Sequence, residues 1–129
     1  MESKKILIIE DEQELRDALT LVLTNAKYLV TSANDGEEGL TRALDEHPDL
    51  ILLDLGLPKM SGHQVLSKLR RDAWGKDVHV LILTNADDAA NITHGVEEKG
   101  SEYIIKSQTS LEDIVKKVKQ HLLGYYDKR

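Results

Sequence analysis

Five polar residues far apart in the chain share one feature: each stands where an apolar run gives out. Glu10 and Asp11 follow KILII, Asp54 follows DLILL, Thr84 follows VHVLIL, and Lys106 follows EYII. Three carboxylates gathered in one place repel one another and hold their protons more tightly unless a cation lies among them. Oxygen donors of this kind suit Mg2+, which takes one or two carboxylates, keeps several waters and binds beside phosphate oxygens. A divalent ion and the Lys106 ammonium would bring the three carboxylates close to neutrality, and the Thr84 hydroxyl can donate to a phosphoryl oxygen. The set suits in-line phosphoryl transfer onto a carboxylate, in which positioning and charge neutralisation supply nearly all the catalysis.

Taken singly, each residue has an ordinary explanation. Acids at Glu10, Asp11 and Glu12 favour the start of a helix, and Glu14 falls three residues after Asp11, as in a capping box. Asp54 precedes Gly56 and Pro58 and could form a turn, Thr84 could cap a helix, and a lone Lys106 could be solvated. What the separate explanations leave unaddressed is that all five fall at the same end of an apolar run.

The elements that would position them alternate. Short apolar segments at about 5–9, 28–32, 49–53, 78–83 and 102–105 read as strands, and three are almost unbroken Leu, Ile and Val, as in strands covered on both faces. Helical spacing appears between them: Leu15, Leu19, Val22 and Leu23 in 12–25, Leu40, Ala43 and Leu44 in 36–46, and Val65, Leu66 and Leu69 in 62–73. A less apolar segment spans 87–99, and 110–123 carries Leu111, Ile114, Val115, Val118 and Leu122 in one stripe. Alternation of this kind predicts an α/β domain around a parallel sheet, whose strands end along one edge where ligands bind. With no linker-like stretch, residues 1–129 are expected to form one domain with a core over about 4–123, and Gly124 is expected to stop the last helix.

Composition narrows the partners. A formal net charge of −6 disfavours direct binding to nucleic acid or an anionic membrane, and Lys116, Lys117 and Lys119 read as the solvated face of a helix. The absence of cysteine excludes disulfides and thiolate chemistry. The apolar run near the N-terminus is too short for a signal sequence or a membrane span, so the expected compartment is the cytoplasm. The five histidines show no metal-ligand spacing and are expected mostly at the surface.

The matching pieces, ILIIEDE, ANDGEEGL, LILLDLGLPKMSG, LILT and SEYIIK, occur in order over about Lys4 to Leu123. In these the chain resembles the receiver domain of two-component response regulators, of the stand-alone kind. The resemblance implies a doubly wound, flavodoxin-like sheet of order 2-1-3-4-5 with helices on both faces. It implies that Asp54 accepts a phosphoryl group from a histidine kinase or histidine phosphotransfer protein. It also implies Mg2+ as cofactor, bound directly by Asp11, Asp54 and the carbonyl of Gly56, with Glu10 acting through a water. Thr84 and Lys106 would hold phosphoryl oxygens, and Thr84 and Tyr103 would form a switch that shifts the 87–123 face to bind a downstream protein. A domain of this kind is a phosphoacceptor that phosphorylates and dephosphorylates itself with Mg2+, rather than a turnover enzyme. The chain departs from the family pattern at Ser107, where proline is usual, and at Asn85, where a small residue is usual. Gly56 and Ala86 are both small, which predicts that water can reach the acceptor.

Two rival readings compete with this one. A phosphohydrolase with Asp54 as nucleophile needs a second acid two residues on, and position 56 is Gly; no P-loop or dinucleotide-binding glycine motif is present. A receiver-like interaction module that works without phosphorylation is the other; Asn85 and Ser107 favour it, and the complete set of five polar residues argues against it.

Overall fold

A computed structural model describes residues 3–85 and 101–123. The chain runs β1 (Lys5–Ile9), α1 (Gln13–Asn25), β2 (Leu29–Ala33), α2 (Gly36–Glu46), β3 (Leu50–Asp54), α3 (Gly62–Arg71), β4 (His79–Thr84), β5 (Ser101–Ile105), a 3-10 turn (Lys106–Gln108) and a last described helix, Leu111–Leu123. All strands pair in parallel, in the order β2-β1-β3-β4-β5. That is the doubly wound, flavodoxin-like α/β sheet the sequence reading anticipates. The expected helix over 87–99, together with Ala86 and the Gly124 stop, lies outside the described residues.

The apolar runs are unbroken because the sheet is covered twice. Successive side chains point to opposite faces, so Ile6 and Ile8 join Leu19, Leu23, Ile114 and Val118, while Leu7 and Ile9 join Ala43, Val65 and Leu69. Every residue of β3 is buried. The outer strand β2 lies at one edge of the sheet, and its LVTSA sequence is correspondingly less apolar.

Local hydrogen bonding sets the boundaries that periodicity leaves loose. Ser61 and Gln64 form a capping box that starts α3, and Asp35 accepts from the Glu38 N–H at the start of α2. The capping box that Asp11 and Glu14 suggest does not form: Glu12 is the N-cap of α1 and its side chain makes no cap bond. Asp11 is thereby left for other work. Helix α3 stops at Arg71, two residues short of the expected end, because Asp72 turns extended and its carboxylate accepts from the Trp74 and Gly75 N–H groups. Asp54 and Thr84 are the final residues of β3 and β4 rather than the ones just beyond. Strand and loop are both compatible with a lone polar residue after an apolar run, and the pairing of Asp54 with Leu83 and of Thr84 with Ile105 decides for strand.

Of the five histidines expected mostly at the surface, His47 and His63 are exposed, His79 is half-buried, His121 is buried, and His94 lies outside the described residues. His121 lies three residues past Val118 and seven past Ile114, so it continues the buried stripe of its helix. Lys117, read from sequence as part of a solvated face, is half-buried and bonded to Glu102.

Candidate functional site

Parallel pairing brings the carboxyl ends of β1, β3, β4 and β5 to one rim, and the polar residues of the sequence reading meet there. Glu10 leaves β1 with its N–H donating to the Ala33 carbonyl at 3.1 Å, and Arg16 Nη1 donates to the Glu10 carbonyl at 2.9 Å. The Glu10 side chain is fully buried. Its Oε2 accepts from the Glu12 N–H at 3.0 Å, and its Oε1 lies 3.3 Å from Lys106 Nζ without an aligned hydrogen bond. Asp54 is 4% exposed, and its Oδ1 accepts from the Gly56 N–H at 3.1 Å and lies 3.2 Å from Lys106 Nζ. Asp11 is exposed at the mouth, and Glu10, Asp11 and Asp54 each bring one oxygen within 4.8 Å of the others.

Lys106 is the cation at the centre of this cluster, with Glu12 Oε1 a further 3.9 Å contact. Its backbone begins the 3-10 turn that contains Ser107, and Thr109 Oγ1 closes that turn by donating to the Ile105 carbonyl at 3.0 Å. Thr84 is buried beside it on the neighbouring strand, its hydroxyl donating to the Asn85 carbonyl at 3.3 Å, and Asn85 is exposed. Tyr103 is half-buried on β5 and packs against the core on the α2 and α3 side.

The electrostatics follow from this crowding. Burial is the main force on Glu10 and raises its carboxyl from 4.5 to about 7; the Glu12 N–H opposes this, Asp54 adds to it and Lys106 opposes it again. Burial works against the Lys106 ammonium, yet Asp54 and Glu10 outweigh it and its pKa is raised. The half-buried Lys106 ammonium is shared by the buried Glu10 and Asp54 carboxylates, and Asp11 adds a third carboxylate at the mouth, so negative charge is in excess. The buried Glu10 Oε1, with no aligned donor, and the converging carboxylates of Asp11 and Asp54 fit a hard divalent cation. Covalently, the cluster offers a carboxylate nucleophile beside an ammonium and a hydroxyl.

Sequence reasoning missed two contributors. Arg16 fixes the main chain of Glu10, and Glu12 supplies both an N–H to that carboxylate and a distant partner to Lys106. Neither carries a distinctive sequence signal, because charged residues in a first helical turn are commonplace. The packing of glycines around Asp54 was also hidden. A Cβ on Gly62 would stand 2.4 Å from the Asp54 carbonyl oxygen, whereas one on Gly56 would meet nothing within 4 Å.

Residues 6–119 match the family model described as "Response regulator receiver domain". Among curated proteins, the "Probable transcriptional regulator ycf27" of Porphyridium aerugineum is 40% identical over 106 residues, covering 82% of this chain and 43% of that protein. The chain spans about two fifths of the length of the curated relatives it matches. Among solved structures, the phosphorylated cyanobacterial phytochrome response regulator RcpA is 30% identical with a TM-score of 0.77, covering 96% of both chains. The receiver domain of the sensor histidine kinase PA1611 from Pseudomonas aeruginosa PAO1, solved with a magnesium ion coordinated in its active site cleft, shares the fold at 22% identity and a TM-score of 0.82, covering 95% of this chain and 99% of that one. Among the described residues no helix is long and apolar enough to cross a membrane.

Proposed function

The chain belongs to the response regulator receiver domain family, and on that premise we propose that Asp54 accepts a phosphoryl group from a phosphohistidine on a histidine kinase or histidine phosphotransfer protein. The observation that carries this reading is the convergence of the Glu10, Asp11 and Asp54 carboxylates, with the Lys106 ammonium set against Glu10 and Asp54. An Asp54 oxygen attacks phosphorus and the bond from phosphorus to the imidazole nitrogen breaks; with its other ring nitrogen protonated, the donor histidine leaves as neutral imidazole. Oδ1 is engaged by the Gly56 N–H and Lys106, so Oδ2 is the oxygen we assign to attack.

Asp11, Asp54 and the Gly56 carbonyl would hold Mg2+, with Glu10 acting through water, and the ion would supply the positive charge that lets an anionic phosphoryl group approach a carboxylate. Lys106 neutralises charge on Asp54 before transfer and bonds a phosphoryl oxygen afterwards. The buried Thr84 hydroxyl turns from the Asn85 carbonyl toward the phosphoryl group. Receiver domains act as phosphoacceptor switches rather than turnover enzymes, and with Gly at position 56 the chain lacks the acid two residues past the nucleophile that the phosphohydrolase plan requires. With acetyl phosphate as donor, label is expected on the protein in Mg2+ and not in EDTA; equal labelling in EDTA would overturn the role given to the metal.

The output lies on the far side of Thr84. Movement of its hydroxyl frees space for Tyr103 and biases β5 and the last helix between two states, creating the surface a downstream protein reads. Beryllofluoride with Mg2+ is expected to shift the backbone amide resonances of 101–105 and 111–123. Shifts confined to the loops around Asp54 would show that no switch reaches this face.

A further inference from the structure

Away from the rim, four side chains fasten the last helix to the sheet. His121 Nε2 lies 2.9 Å from Glu102 Oε1 on β5, and His121 Nδ1 lies 2.8 Å from Nδ1 of His79, the first residue of β4. Lys117, about one turn earlier on the helix, donates to Glu102 Oε2. The two imidazoles meet edge to face, with centroids 5.0 Å apart and planes at 78°. His79 opens β4 and Glu102 is the second residue of β5, so this clasp sits toward the strand ends opposite Asp54.

Its protons can be counted. An ionised carboxylate only accepts, so His121 Nε2 carries a hydrogen, and an Nδ1···Nδ1 bond needs one hydrogen between the rings. The neutral pair satisfies both conditions with His121 Nδ1 bare and His79 Nδ1 protonated. One added proton is also accommodated: His121 becomes imidazolium and donates to a bare His79 Nδ1. A second added proton puts hydrogens on both Nδ1 atoms, and 2.8 Å leaves no room for them.

We propose that His79 and His121 form an acid-sensitive latch that holds the last helix against β4 and β5 with zero or one added proton and releases it when both rings are charged. Charged groups set against the pair include Glu102 from β5 and, through Glu102, Lys117 from the helix itself. The His121 hydrogen bond, opposed by burial and helped by Lys117, holds the Glu102 carboxyl below its usual range, so it stays ionised while imidazoles titrate. Its charge favours the first added proton and cannot relieve the clash made by the second. Tyr103 follows Glu102 on the same short strand, so release loosens the strand on which the proposed switch residue sits.

The sign of the pH effect follows from linkage. Unfolded, both imidazoles bind a proton near pH ~6.5, whereas the latched pair takes up only one, so the unfolded chain binds more protons in acid and stability falls as pH drops below that range. The deficit of one proton is worth up to about tenfold in the folding equilibrium constant per pH unit.

The test is ring-nitrogen NMR on the full chain, with denaturation measured from about pH 8 to about pH 5, where histidine changes charge. Expected near neutrality are a hydrogen on His121 Nε2 and a single hydrogen between the two Nδ1 atoms. Proton uptake should then occur in two separated steps, the second accompanied by amide shifts in 111–123. His79→Asn keeps an N–H donor and can turn its carbonyl oxygen toward a charged His121, so it should lose clearly less of its folding constant in acid than the wild type. Two rings titrating independently without helix shifts, or an unchanged acid loss in His79→Asn, would overturn the latch. Should that variant fail to fold, the wild-type ring titration decides by itself.

Discussion

Replacing Asp54 with Asn is expected to abolish phosphoryl uptake and, in the absence of divalent cation, to make the protein more stable. The amide is not a nucleophile toward phosphorus, so labelling by acetyl phosphate should disappear. The stability gain has a separate cause. Asp54 is buried beside the fully buried Glu10, and both press on one ammonium. Removing one partner of a buried pair usually exposes an uncompensated charge at a cost of several kcal/mol, but here Lys106 retains Glu10 at 3.3 Å. What the substitution removes is the surplus negative charge and the desolvation of one carboxylate, for an expected gain of about 1 kcal/mol. The rise in melting temperature on adding Mg2+ should shrink in parallel, because a ligand stabilises only through its preference for the native state. Thermal scans of both proteins with Mg2+ and with EDTA measure this. An unchanged Mg2+ response in Asp54→Asn would mean the cation binds elsewhere.

Gly62→Ala is expected to damage both stability and phosphorylation, although residue 62 lies outside the reacting cluster. Its Cβ would stand 2.4 Å from the Asp54 carbonyl oxygen and 2.7 Å from Leu55 Cα, and both are backbone atoms that cannot swing aside. Relief requires the start of α3 to part from the end of β3, an overpacking cost of about 1–3 kcal/mol. The same displacement moves Asp54 relative to Lys106, and misplacement of a reacting group by about 1 Å can cost roughly a hundredfold in rate. Gly56→Ala is the matched control, since its Cβ would meet nothing within 4 Å; its stability should stay near that of the wild type. Urea denaturation and initial rates with acetyl phosphate separate the two. Equal behaviour of the Gly62→Ala and Gly56→Ala proteins would refute the packing argument.

The division between what could be read early and what could not runs along the range of the interactions. The strands were legible because unbroken runs such as LILL and ILII fit only elements covered on both faces, and the helices because Leu15, Leu19 and Leu23 repeat at helical spacing. The rim of polar residues was legible for the same reason, since a parallel sheet sends all its carboxyl ends one way. The start of α1 was misjudged because a helix can take its N-cap at any of several consecutive acids, and the choice of Glu12 depends on Glu10 being drawn into the core, where its Oε2 takes the Glu12 N–H.

The sequence by itself determined the alternation of elements, the edge at which Glu10, Asp11, Asp54, Thr84 and Lys106 would gather, and an excess of acid there, because periodicity and residue type are local properties of the chain. Only the tertiary structure decided that Lys106 is shared by Glu10 and Asp54, that burial lifts Glu10 to about 7, that Gly62 presses on the Asp54 backbone, and that His121 turns inward to His79 and Glu102. Each of these depends on strand register and on which atoms exclude water, and residues distant in sequence acquire those properties only when the sheet closes.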